Sequence, residues 1–202
     1  MIGIIGQGFV GNAVYQKFKN HFGVDTFDID PSISNATYDK VIQNKIIFIC
    51  LPTPMNPDGS CNTSIAEVEI EKLDKLGKYT IVVKSTIIPG TTKAWNKKYN
   101  SDIVFNPEFL TEKNAVKDFE NQKHIVLGGP DNATKKIKKV FELVFEKAKI
   151  SCVEETTAEL LKYYLKCFLA VKVSFANEMY GISDKLGVSY DSLLSLVLED
   201  ER

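Results

Sequence analysis

Short apolar runs rich in β-branched residues recur along the first two thirds of the chain, at residues 1–6, 24–29, 46–51, 80–85, 102–105 and 124–128. Runs that stay apolar residue after residue, without polar alternation, belong to strands covered on both faces. Between them, residues 12–22, 64–76, 91–99 and 131–147 carry apolar positions at helical spacing. The resulting order is β-α-β-α, which predicts a doubly wound, Rossmann-like α/β domain with a mostly parallel sheet. Residues 149–153 add a possible last strand. Within 131–147, Ile137, Phe141 and Val144 form the apolar stripe, so the lysines of that segment read as a solvated face.

Residues 157–186 read as one long helix, roughly 45 Å at about 1.5 Å per residue. Its apolar positions, among them Leu161, Tyr164, Phe168, Val171, Phe175 and Ile182, surround it almost completely. Such a helix is expected to be covered by more than one surface, and in a short chain a second subunit is the natural cover. A homodimer through this helix is the expectation. Gly187 suits a C-cap, and residues 190–198 form a final short helix. The domains are therefore read as 1–153, nucleotide binding, and 154–202, a helical dimerisation region.

Composition narrows the picture. With 202 residues, 44% of them hydrophobic, the chain buries one core with a helical appendage. A formal charge of −1 supplies no attraction for nucleic acid or an anionic membrane. The apolar start lacks a basic leader, and no run approaches a membrane span. Four cysteines show no Cys-x-x-Cys spacing and the two histidines are far apart, so a reduced, cytoplasmic protein without a structural metal is expected. Arg202 is the only arginine.

Gly6-Gln7-Gly8-Phe9-Val10-Gly11 follows a strand and opens a helix. There, glycines admit a pyrophosphate to the backbone, and the helix N-terminus favours its charge. At the end of the second strand Asp28 can accept hydrogen bonds from an adenosine ribose and repel a 2′-phosphate, which favours NAD over NADP. Asp25 and Asp30 lie nearby; the strand end favours Asp28. FAD finds no downstream support. Leu51-Pro52-Thr53-Pro54, Lys84-Ser85-Thr86 and Asn106-Pro107-Glu108 each follow a strand, so three motif-bearing loops converge on the carboxyl edge, where ligands of such sheets sit.

These segments, with Pro89-Gly90-Thr91-Thr92, the extension Phe109-Leu110-Thr111-Glu112 and Glu159-Leu160-Leu161-Lys162, stand in the order found in the UDP-glucose/GDP-mannose dehydrogenases, which the chain resembles over nearly its whole length. The resemblance implies an oxidoreductase that oxidises the C6 alcohol of a nucleotide sugar, most closely a UDP-sugar, twice, using two NAD and a thiohemiacetal on a cysteine. It implies that Phe9, Val10, Pro52, Thr53 and Glu112 contact the cofactor and that Thr86, beside the nicotinamide, helps position a water. Glu108, followed by Phe109 and Leu110, would hold the sugar nucleotide and support proton transfer, and Lys162 would stabilise the developing oxyanion.

Lys166 stands where that family carries a substrate-binding asparagine. Two ammonium groups four residues apart on a helix lower at least one pKa or call for an anionic partner. Arg202, in Asp200-Glu201-Arg202, matches an arginine that reaches the partner subunit's substrate site. The family's cysteine lies beyond that signature, and none of Cys50, Cys61, Cys152 and Cys167 matches it, so the expected reading is a truncated enzyme without the four-electron reaction. Two alternatives stay open: a single-hydride, hydroxyacid-type dehydrogenase, and a non-catalytic module that binds NAD or a nucleotide sugar.

Overall fold

The computed structural model describes residues 1–200, apart from the side chain of Glu112. It divides into two compact units, Met1–Lys162 and Tyr163–Arg202. The division between these compact units falls inside the long helix, because Ala158, Glu159 and Lys162 are buried in the first unit.

In the first unit, β1 (Ile2–Ile5), β2 (Val24–Phe27), β3 (Ile46–Ile49), β4 (Thr80–Val83), β5 (Asp102–Phe105), β6 (His124–Gly128) and β7 (Lys149–Val153) form one sheet in the order β2-β1-β3-β4-β5-β6-β7. All neighbours run parallel except β5 and β6, which meet antiparallel through Phe105 and Gly128. Helices α1 (Phe9–Phe18), α2 (Tyr38–Val41), α3 (Ser64–Leu76), α4 (Thr91–Lys98), α5 (Ala115–Glu120) and α6 (Asp131–Val144) cover the sheet.

Side chains alternate along each strand, and both faces are apolar. One face sets Ile4, Phe48, Val82 and Val104 against α1, α5 and α6, with Phe18 at the centre, its ring centroid 5.4 Å from those of Phe48 and Phe141. The other sets Ile47, Ile81, Val83 and Ile103 against Ile70 and Leu73 of α3 and Trp95 of α4.

At the sheet's outer edge, the segment after β2 folds back on that strand. Asn35 donates its side-chain amide to Val24 O (3.0 Å) and accepts from Thr26 N (2.7 Å). Ala36 N donates to Thr26 O (3.1 Å), and Ser34 Oγ accepts from Asp28 N (2.8 Å).

Strands 102–105 and 124–128 and helix 64–76 have the expected bounds, and the last strand, 149–153, is present. α1 starts at Phe9 rather than 12, because the third glycine lies within its first turn, and it stops at Phe18, where His21 N and Phe22 N both turn back to the Phe18 carbonyl. α2 and α5, with four and six residues, are too short to show a helical period.

In the second unit α7 (Glu155–Lys185) continues to Lys185 and ends at Gly187, whose φ is 68°. Ser189 then caps α8 (Tyr190–Val197), accepting from Ser192 N. Tyr164, Phe168, Val171, Phe175, Tyr180 and Leu196 are exposed in the single chain. Among the described residues, no helix is long and apolar enough to cross a membrane.

Candidate active site

Three glycines build the first loop, each differently. Gly6, at φ 93°, passes so close to β3 that a Cβ would lie 2.5 Å from Cys50 O. Gly11 sits under the same turn, where a Cβ would lie 1.9 Å from Gly6 O. A Cβ on Gly8 would meet nothing within 4 Å, so this glycine faces the space that an approaching diphosphate needs. Gly8 is also the N-cap of α1 and has no side chain to cap its orphan N–H groups.

Asp28 closes the loop. Its carboxylate accepts from Gln7 N (2.6 Å) and Asp30 N (3.1 Å). Asp25 is committed elsewhere, to Lys40 at 3.1 Å and Asn44 at 3.0 Å, and Asp30 caps the turn Pro31–Ile33 through Ser32 N. Of the three carboxylates, Asp28 is the one tied to the glycine turn. A cavity of about 470 Å³ opens beside the glycine turn, lined by Gln7, Gly8, Phe9, Asn12, Ser32 and Ser34 among others.

Further along the carboxyl edge, Lys162 reaches in from the first turns of α7. Its ammonium lies 3.0 Å from Glu108 Oε1, and both side chains are buried, at 1% and 6% exposure. It also donates to the Lys84 main-chain carbonyl (3.4 Å), while Glu108 Oε2 accepts from Leu110 N (3.0 Å). Burying an ion pair costs desolvation that is offset only when the remaining hydrogen-bonding positions are filled, and here the Lys84 carbonyl and Leu110 N help to fill them. Thr86 is half-buried on the neighbouring loop, where Cys61 donates its S–H to the Thr86 carbonyl (3.5 Å). Phe109 is exposed and Leu110 half-buried beside Glu108.

Two features of this cluster went unread in the sequence. Lys84 is a second buried ammonium, 1% exposed, donating to Asn106 Oδ1 at 2.7 Å and lying 5.1 Å from the Phe119 ring centroid. Asn106 passes the link on through its amide to Val126 O (2.8 Å), across the antiparallel β5–β6 junction. A lysine ending the apolar run of β4 was the available signal. The other feature is Glu159, fully buried, which accepts from Gly90 N and Thr92 N at the start of α4.

Burial pushes the Lys84 amine down to about 8, partly offset by Glu108, and pushes the Cys50 thiol up to about 12. The folded-state value of Lys84 lies below its unfolded value, so the unfolded chain binds more protons between about 8 and 10.5 and stability rises with pH across that window. Relative to Lys84→Met, the unaltered chain is expected to gain on the order of 1–3 kcal/mol over that window. Urea titrations of both proteins at its two ends measure the gain; a constant difference would mean that burial leaves the amine at its ordinary value.

Pro52 is exposed and Thr53 half-buried on the loop after β3, Phe9 is 48% exposed, and Val10 is half-buried in the first turn of α1. Lys166 is an exposed position of the second unit. The side chain of Glu112, and Arg202 entirely, lie outside the described residues. Among those residues no group of three or more His, Cys, Asp or Glu side chains could hold a metal ion.

A doubly wound sheet with a glycine turn, an acidic second-strand end and a buried ammonium–carboxylate pair at its carboxyl edge defines a dinucleotide-binding domain of the dehydrogenase class. Residues 30–149 match the NAD binding domain of the UDP-glucose/GDP-mannose dehydrogenase family, and residues 156–202 match its central domain. The chain belongs to the UDP-glucose/GDP-mannose dehydrogenase family.

UDP-glucose 6-dehydrogenase AglM of Haloferax volcanii is 33% identical over 254 residues, covering 100% of this chain and 58% of the relative. An uncharacterised Methanocaldococcus jannaschii protein is 37% identical over 163 residues, 75% of this chain and 18% of its own length. Among solved structures, a UDP-glucose dehydrogenase from Pyrobaculum islandicum superposes with a TM-score of 0.88 at 28% identity, over 100% of this chain and 57% of that one. The chain thus spans well under two thirds of these relatives.

Proposed function

We propose that this chain binds NAD along the carboxyl edge of its sheet and serves the oxidation of the C6 alcohol of a nucleotide sugar of the UDP-glucose kind. The observation that carries the reading is the buried Lys162–Glu108 pair, 3.0 Å apart on the sheet edge that begins with the glycine turn. The chain fits the cofactor: Gly8 faces open space, α1 presents its N-terminus, and Asp28, just past β2, accepts from Gln7 N. Gly6, Gly8, Phe9, Val10, Gly11, Asp28, Pro52, Thr53 and Thr86 would hold NAD, which supplies the hydride acceptor when bound.

Glu108 is the base in this reading, taking the hydroxyl proton of the sugar directly or through a water held by Thr86. Lys162 faces the oxygen as negative charge gathers on it, in surroundings dry enough to make an ammonium effective. Phe109 and Leu110 border the sugar. The nearby thiols do not suit covalent capture of an aldehyde, since Cys50 is held protonated by burial and Cys61 is engaged with Thr86.

Calorimetry of the 202-residue polypeptide is expected to show NAD bound more tightly than NADP, with Gly8→Val abolishing binding while the fold survives. Incubation with UDP-glucose and NAD is expected to yield at most one NADH per sugar. Equal affinity for both cofactors would remove Asp28 from its role; two NADH per sugar would show that some group of these 202 residues captures the aldehyde. Lys166, where relatives are expected to carry an asparagine, favours a second reading of binding without turnover, recognised by NAD binding with no sugar-dependent NADH.

The exposed apolar side chains of the second unit support a homodimer as the state in which the protein works. Light scattering at micromolar concentration should give twice the chain mass, and Phe175→Asp should shift it toward one; a clean monomer before substitution would refute the assembly. Four unpaired cysteines support the cytoplasm as its compartment, a placement that rapid thiol labelling of lysed cells checks by finding all four reactive on unfolding.

A further inference from the structure

Glu159 and Lys162 stand at positions i and i+3 of α7, and both are buried. Lys162 donates to the main-chain carbonyl of Lys84, and Glu159 accepts from the main-chain N–H groups of Gly90 and of Thr92, the latter at 2.8 Å. One turn of α7 therefore grips both ends of segment 84–92, the loop on which Thr86 rides. Between these grips the ties are Ser85 Oγ donating to Leu51 O (2.6 Å), the Cys61–Thr86 contact and the buried Ile87.

The N-cap of α4 is a glycine, which has no side chain to accept from the first N–H groups of the helix. Glu159 supplies that acceptor from 67 and 69 residues away in sequence. A carboxylate facing two amides at a helix N-terminus makes charge-assisted bonds in a favourable dipole. A carboxamide offers one acceptor and turns an NH₂ toward the second donor; an aspartate is short by one methylene.

We propose that Glu159 is a positioning residue, which through Gly90 and Thr92 holds Thr86 in register with the Lys162–Glu108 pair. The Glu-Leu-Leu-Lys segment is then divided in labour: the glutamate sets the loop, and the lysine meets the chemistry. This rests on the reading of Thr86 as a neighbour of the nicotinamide. It goes beyond it by assigning control of that contact to a carboxylate that does not itself touch cofactor or substrate.

The test compares the unaltered 202-residue chain with Glu159→Gln and Glu159→Asp. Each is titrated with NADH and with ADP-ribose by calorimetry, nicotinamide emission is recorded on the NADH complex, and the amides of Thr86 and Thr92 are followed by NMR in ¹⁵N-threonine-labelled protein. In both variants ADP-ribose affinity is expected to stay within about threefold, because the glycine turn and Asp28 are untouched, while NADH affinity falls about tenfold. Bound-state emission should drop toward that of free NADH, and both threonine amides should shift.

A variant whose Thr92 amide shows the bond lost but whose NADH emission and affinity match the unaltered chain would overturn the proposal. So would loss of ADP-ribose binding in both variants, which would make Glu159 a support of the whole fold. Failure of the unaltered chain to bind NADH would instead sink the NAD reading itself, a result distinct from either.

Discussion

Alanine at position 11 is expected to break the first loop and to cost more than any other single methyl group added to the sheet unit. Its Cβ would lie 1.9 Å from Gly6 O and 2.9 Å from the carbon of the same carbonyl, both main-chain atoms. No rotamer relieves that overlap, so α1 must move away from β1 and drag Val14 and Phe18 out of the core they fill. Overpacking and lost burial together put the cost at roughly 3–5 kcal/mol, a large part of the stability of an ordinary domain. The melting temperature should fall on the order of 10 °C. Gly8→Val is the control, since its side chain enters open space; a Gly11→Ala protein melting with the parent would mean that the helix start tolerates the shift.

Lys162→Met should be the next most damaging change. It removes the ammonium 3.0 Å from Glu108 Oε1 while leaving a carboxylate that is 6% exposed. Breaking a buried pair from one side costs about 3–5 kcal/mol, whereas replacing both partners is often near neutral. The double variant Lys162→Met with Glu108→Gln should therefore recover most of the loss, and chemical denaturation of the four proteins of the cycle measures the coupling. Additive losses would show that the two groups do not act as a pair. Glu108→Gln alone should also unfold more easily than the parent, because it leaves the buried Lys162 ammonium facing a neutral amide.

The sheet was legible because its strands are continuously apolar, and only strands covered on both faces can be. Ile46–Ile49 and Thr80–Val83 announce themselves in this way. The expected strands ran past the true ends at Phe27, Ile49 and Val83, where bonds such as Cys50 N to Ile5 O and Lys84 N to Ile49 O carry the sheet pattern one residue into the loops that form the site. Short helices were hidden: α5 has six residues and lies against α1, so tertiary packing and not periodicity makes it helical.

The site divides in the same manner. Gly6, Gly8, Gly11 and Asp28 could be named because local backbone needs dictate them, and Glu108 and Lys162 could be named from motif order, but their pairing 54 residues apart could not. Lys84 with Asn106, and Glu159 with Gly90 and Thr92, are partnerships between residues 22 and 67–69 positions apart, which no local pattern records.

The fold-back of residues 34–36 has a bearing on how the protein survives at high concentration. A sheet's last strand normally offers a row of unsatisfied amides and carbonyls to any extended chain that drifts past, a common start of fibrils and precipitates. On β2 the outward groups Val24 O, Thr26 N, Thr26 O and Asp28 N are already taken by Asn35, Ala36 and Ser34. Three residues of loop thus stand in for an eighth strand, and they close that border of the sheet to recruitment of another chain.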